Sequence, residues 1–62
     1  MTDAERIEAL LDLVDPARAG NENRGRELTV LGLAEAVAKG SYRPTNAGWV
    51  MIGNRGRAFQ PR

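Results

Sequence analysis

The sequence predicts a small α+β domain in which two helices are followed by a C-terminal β-hairpin. Three observations predict it. Apolar residues recur at helical spacing between positions 3 and 14, and a second periodic run covers 30–39 and closes on Lys39-Gly40. A β-prone run at 49–52 then faces a second run at 57–60 across a glycine-bounded turn. The competing expectation is an all-α three-helix mini-domain.

The first helix is the most clearly written element. Ala4, Ile7, Leu10, Leu11 and Val14 fall on one face, Leu13 extends it, and Glu5, Arg6, Glu8 and Asp12 lie mostly between them. Thr2 followed by Glu5 matches a capping box, with Asp3 as an alternative cap. Pro16 stops the helix, because the residue before a proline is biased out of the helical region. The expected span is 3–14.

Residues 16–26 contain no large apolar side chain and read as a polar connection with room for a short turn at 16–19. Loops longer than about 12 residues are uncommon in compact domains, so this one is near the limit. The second helix is expected at 30–39. Val30, Leu33, Ala34 and Val37 make its face, Leu31 and Ala38 widen it, Thr29 caps it, and Lys39-Gly40 ends it. Gly32 weakens that helix by up to about 1 kcal/mol relative to alanine. It also leaves open a strand at Leu28–Leu31 ahead of a shorter helix.

Beyond Gly40 two readings stand. Trp49-Val50-Met51-Ile52 and Arg57-Ala58-Phe59-Gln60, separated by Gly53-Asn54-Arg55-Gly56, make a hairpin spanning 49–60 that Pro61 ends. Alternatively a helix runs from Pro44 to Ile52, with Pro44 at its first position and Ser41 nearby. One short echo crosses the chain: Asn23-Arg24-Gly25-Arg26 recurs as Asn54-Arg55-Gly56-Arg57. Two tetrapeptides do not make a repeat unit, but they read as two similar arginine-bearing turns.

At 62 residues there is room for one domain. A chain of this length buries only about 60% of the surface its unfolded form exposes. Nine alanines supply much of the apolar content, so the core is small, and such a core rarely contributes more than about 3–5 kcal/mol. There is no cysteine to form a disulfide and no histidine, which removes the usual zinc ligands. A homodimer or a larger protein partner is the expected stabiliser. The absence of cysteine fits the cytoplasm. No basic stretch followed by an apolar one opens the chain, and no apolar run approaches the roughly 20 residues needed to span a bilayer, so no membrane partner is expected.

Charge is divided along the chain. Residues 1–22 carry six acidic and two basic side chains, a net −4, whereas residues 23–62 carry seven basic and two acidic ones, a net +5. Eight of the nine basic residues are arginine, which suits planar recognition of phosphate or carboxylate. The division points either to an anionic partner such as DNA or RNA or to pairing between the two halves.

Catalysis has little to build on. Without cysteine or histidine the commonest nucleophile–base pairs are missing, and Glu5, Glu8 and Asp12 sit on a wet helix face. A paired-carboxylate site needs burial to separate its two pKa values. Gly53-Asn54-Arg55-Gly56-Arg57 lacks the phosphate-loop pattern. No enzyme activity, metal or cofactor is expected.

Two helices, a glycine-bounded stop and a wing-like hairpin resemble a helix-turn-helix or winged-helix arrangement over roughly 30–52, a general motif rather than a family. The leading expectation is a nucleic-acid-binding protein, including a transcription regulator, with phosphate contacts from Arg24, Arg26, Arg43, Asn54, Arg55 and Arg57. If 44–52 is a recognition helix, Ser41, Tyr42, Thr45 and Asn46 are the side chains best able to touch bases. The alternative is a protein-interaction module, as subunit or inhibitor of a larger assembly, that presents Ile7, Leu10, Leu11 and Val14 to a partner groove. Trp49 reads more readily as a core anchor than as a stacking platform.

Overall fold

The computed structural model describes residues 1–18, 24–38 and 40–60. The centre of the 16–26 connection, Asn23 of the echo, Lys39 of the expected helix stop and Pro61 lie outside the described residues. Over these described residues the chain forms a small mixed α/β domain with three α-helices and one two-stranded antiparallel hairpin. In chain order these are α1 (Asp3–Val14), α2 (Gly25–Val30), β1 (Ala34–Ala38), β2 (Ser41–Pro44) and α3 (Asn46–Ile52). One 3-10 turn follows α1 at Pro16–Arg18, and another follows α3 at Gly53–Gly56.

α1 forms where its spacing places it. The Thr2 hydroxyl accepts the Glu5 N–H at 3.2 Å, and the Glu5 carboxylate accepts the Thr2 N–H at 3.1 Å. Two otherwise unpaired donors at the helix start are thereby satisfied. Asp15 ends the helix in an extended conformation, with its N–H donating to the Leu11 carbonyl.

The middle of the chain departs from expectation. The helix expected at 30–39 is replaced by the end of α2 and by β1, and the segment Leu28–Leu31 is not a strand. α2 starts earlier, at Gly25, and Thr29 lies inside it, donating its hydroxyl to the Gly25 carbonyl at 2.7 Å instead of capping. Gly32, at φ 78°, breaks the helix, and the chain enters the strand. β1 pairs with β2 in the register Ala34↔Pro44, Glu35↔Arg43, Ala36↔Tyr42 and Ala38↔Ser41, with an irregularity between Ala36 and Ala38. Gly40 does not stop a helix; it lies between the two strands at φ 76°.

The hairpin is therefore central in the chain, not at 49–60. At its C-terminal side the helical alternative prevails over Asn46–Ile52, but Pro44 closes β2 and Thr45, not Pro44 or Ser41, begins the helix. The wholly α-helical alternative fails on the hairpin itself.

Thr45 holds this junction. Its N–H donates to the Leu33 carbonyl at 3.0 Å and its hydroxyl donates to the Gly32 carbonyl at 2.7 Å. The same hydroxyl accepts the Gly48 N–H at 3.2 Å, which caps α3. One side chain thus ties the break after α2 to the start of α3.

The core is built on α1. Ala9, Leu10 and Leu11 meet Leu28 of α2, Leu33 and Ala34 at the start of the hairpin, and Ile52 of α3. Leu10 and Leu28 are fully buried. Ile7, Leu13, Val14, Trp49 and Met51 pack around them. Leu10 and Leu11 are consequently unavailable to a partner groove, and Ile7 and Val14 are half-buried against the same core. The apolar face read as a docking surface is the one the domain uses to fold. Burying it against α2, β2 and α3 removes it from water within the chain.

A candidate ligand trough along the third helix

The arginines separate into those that fasten the fold and those that face solvent. Arg18 lies among three carboxylates, 3.2 Å from Asp12, 3.3 Å from Glu8 and 3.7 Å from Asp15. Its hydrogen bond to Asp12, with the neighbouring charges, raises its pKa further. Arg55 reaches from the 3-10 turn to Glu8 at 3.1 Å. This bridge joins the acidic first half to the basic second half. Arg43 pairs across the hairpin with Glu35 at 2.6 Å. Arg24 is half-buried and close enough to Glu5 to help hold that carboxyl below its usual range, although the two Thr2 hydrogen bonds matter more. Part of the charge division is therefore internal. Arg26 and Arg57 are exposed, and no carboxylate lies within ion-pair distance of either among the described residues.

Two shallow hollows meet on the outer side of α3. The first, about 540 Å³, is lined by Gly32, Glu35, Arg43, Pro44, Thr45, Asn46, Ala47 and Trp49. The second, about 380 Å³, is lined by Asn46, Trp49, Val50, Gly53, Asn54, Arg57 and Gln60. Asn46 and Trp49 belong to both. The result is a trough with an indole and an amide at its middle and one guanidinium on each side.

Helix geometry explains the grouping. Asn46, Trp49, Val50 and Gly53 stand at spacings of three, four and seven residues, which places them on one side of a helical run. The opposite side carries Gly48 and Ile52 into the core. A Cβ added to Gly48 would overlap the Leu33 carbonyl oxygen and come within 3.0 Å of Pro44 and 3.2 Å of Leu10. Only a glycine lets α3 lie so close to the hairpin base. Trp49 is half-buried because one ring edge packs near Gly56 while the remainder lines the trough.

The expected contact residues scatter. Arg43, Asn46, Asn54 and Arg57 come together in the trough, and Thr45 lines it with its hydroxyl already committed to Gly32 and Gly48. Ser41 and Tyr42 line neither hollow: Ser41 is exposed on the hairpin, and the Tyr42 ring covers Gly25. Arg24 and Arg26 are at the start of α2, and Arg55 is turned to α1. Trp49, Val50 and Gln60 also line the trough; Val50 and Gln60 are not among the contacts the sequence suggests, and Trp49 reads there more readily as a core anchor. The helical alternative for 44–52 contained the signal for the first two, since it puts Trp49 and Val50 on the face of Asn46.

Among the described residues no group of three or more Asp, Glu, His or Cys side chains is placed to hold a metal ion. No helix there is long and apolar enough to cross a membrane. No family model, curated protein or solved structure matches the chain.

Proposed function

We propose that this chain is a small non-enzymatic nucleic-acid-binding protein whose contact surface is the α3 trough. The observation that supports it is the meeting of the two hollows at Asn46 and Trp49, with Arg43 on one side and Arg57 on the other. Guanidinium groups contact phosphates, and amides and an indole meet bases. The one carboxylate in the trough, Glu35, is paired with Arg43. The test is oligonucleotide binding by fluorescence anisotropy across a salt series. Affinity should fall steeply with salt, because each phosphate contact releases counterions. Salt-insensitive binding, or no binding at low ionic strength, removes the proposal.

A winged-helix-like use of the fold belongs to the same reading. The order α1, α2, β1, β2 puts a hairpin directly after a helix, and contact would then fall to Arg26 and Ser41. It has less support, because Tyr42 is tied down on Gly25. The second reading is a protein-interaction module, favoured by Val50, which lines the trough and remains 82% exposed. Sedimentation of the pure protein separates self-association from a monomeric binder.

A further inference from the structure

Resting on the nucleic-acid reading, we infer that the α3 trough takes two successive nucleotides of a single strand, with Trp49 as the surface on which a base stacks. Each hollow lies within the roughly 300–1,000 Å³ typical of small-molecule sites, at about 540 and 380 Å³. Each has a guanidinium, Arg43 in the first, where it also holds Glu35 at 2.6 Å, and Arg57 in the second, with no carboxylate in ion-pair distance among the described residues. The two share Trp49 and Asn46, so neighbouring units of one ligand would meet at the indole and the amide. Asn54 and Gln60 add hydrogen-bonding groups to the second hollow, which contains no carboxylate.

The strandedness follows from where the indole is. Inside a duplex, both faces of a base are covered by its neighbours, and only the groove edges and the backbone are offered. A half-buried ring set in a hollow cannot reach a covered face. An unstacked base presents its π-face freely, and stacking on aromatic side chains is how sequence-tolerant single-strand binders hold it. α3 has seven residues and is therefore only about 10 Å long, which gives little helix to lay along a major groove. The concave surface and the short helix favour the same ligand.

Trp49 is the only tryptophan in the chain, so its emission reports on this site without a label. The full chain is titrated at low salt with an oligothymidylate of about eight nucleotides, a length within the usual single-strand site range, and separately with a mixed-sequence duplex. The single strand should quench Trp49 and bind at least about tenfold more tightly than the duplex. Arg43→Ala and Arg57→Ala should each weaken it and each reduce the salt slope by about 0.7. Trp49→Phe, followed by anisotropy of a labelled strand, should weaken binding while leaving the far-ultraviolet circular dichroism of the fold unchanged. Equal or tighter duplex binding, or single-strand binding that leaves Trp49 emission and both arginine variants unaltered, overturns the inference and leaves the nucleic-acid reading standing. Failure of both probes to bind at low salt removes the two together.

Discussion

Replacing Gly48 by alanine tests how the trough is positioned. Helix propensity alone predicts a gain of up to about 1 kcal/mol, since alanine is the better helix former. Packing predicts the opposite sign. The new Cβ would overlap the Leu33 carbonyl oxygen, and Pro44 Cβ and Leu10 Cδ2 close the space at 3.0 and 3.2 Å. The nearest obstacle is backbone and cannot swing aside as a side-chain end would. Overpacking of this kind costs about 1–3 kcal/mol. The Leu33 oxygen also accepts the Thr45 N–H at 3.0 Å, so displacing it weakens a further bond worth about 1 kcal/mol. The net expectation is a loss of about 1–3 kcal/mol after the propensity gain is set against it. A domain of this length has about 3–9 kcal/mol in total, so the loss is a substantial share. At about 4–8 °C per kcal/mol, Tm should fall by roughly 5–20 °C. Thermal unfolding followed by circular dichroism, with urea midpoints as a second measure, reads it directly. A Gly48→Ala variant that melts at or above the parent temperature would refute the close approach of α3 to the hairpin base.

Four further outcomes follow from the same geometry. Thr45→Val loses the cap on Gly48 and the bond to Gly32, so urea unfolding should show a loss of about 2 kcal/mol; a change below about 0.5 kcal/mol contradicts the junction. Leu28→Ala removes a fully buried side chain and should cost about 2–5 kcal/mol, read as a lowered urea midpoint by circular dichroism; a loss below about 1 kcal/mol contradicts its place in the core. Glu5 is held below its usual pKa by its Thr2 hydrogen bonds, so the unfolded chain takes up its proton first as pH falls. That contribution is full above the ordinary glutamate value of 4.5 and is lost on acidification through it and the lowered folded value, so Glu5→Gln should flatten the acid limb of a Tm-against-pH curve; an unchanged limb would exclude the box as its source. Arg55→Ala should lower Tm in a salt-dependent way while sparing oligonucleotide affinity, and Arg57→Ala should do the reverse; the same effect from both would mean the two are not divided as the structure divides them.

How much of this was legible follows from the range of the interactions. α1 was written locally: a cap, a stripe and a proline stop lie within fifteen residues, and no distant contact competes with them. The run at 34–38 was not. Its three alanines and a glutamate are good helix formers, and the spacing of Val30, Leu33, Ala34 and Val37 is helical. Only Leu33 and Ala34 are buried, whereas Val30 is 87% exposed and Val37 half-exposed, so the apparent stripe never becomes a core face. Pairing with Ser41–Pro44 and the turn out of helix at Gly32 decide the segment, and neither is visible in its own residues. At 44–52 both readings used turn formers correctly, but the cap that selects the helix is Thr45, whose second bond goes thirteen residues back. The trough shared that uncertainty. Its residues fall on one face only once 46–52 is a helix.

The Asn-Arg-Gly-Arg echo shows what the structure adds to a pattern that sequence cannot interpret. In both copies the glycine is buried, Gly25 beneath Tyr42 and Gly56 against Ile52 with Trp49 nearby. The first arginines differ: Arg55 bridges to Glu8 of the acidic helix at 3.1 Å, whereas Arg24 is half-buried at the start of α2 and its charge acts on Glu5 only weakly. In both, the second arginine is exposed. The elements differ, a helix start in one copy and a 3-10 turn in the other, so the likeness is not one of shared backbone. In a 3-10 turn, residues two apart point about 240° around the axis, which sends Arg55 and Arg57 to different sides of the glycine between them. In that copy the buried Gly56 separates a charge that fastens the turn to α1 from one that is presented to solvent. The −4/+5 division and the exposed arginines are then not rival explanations: in the second copy Arg55 binds the two halves together through Glu8 while Arg57, two residues on, stays exposed and lines the trough.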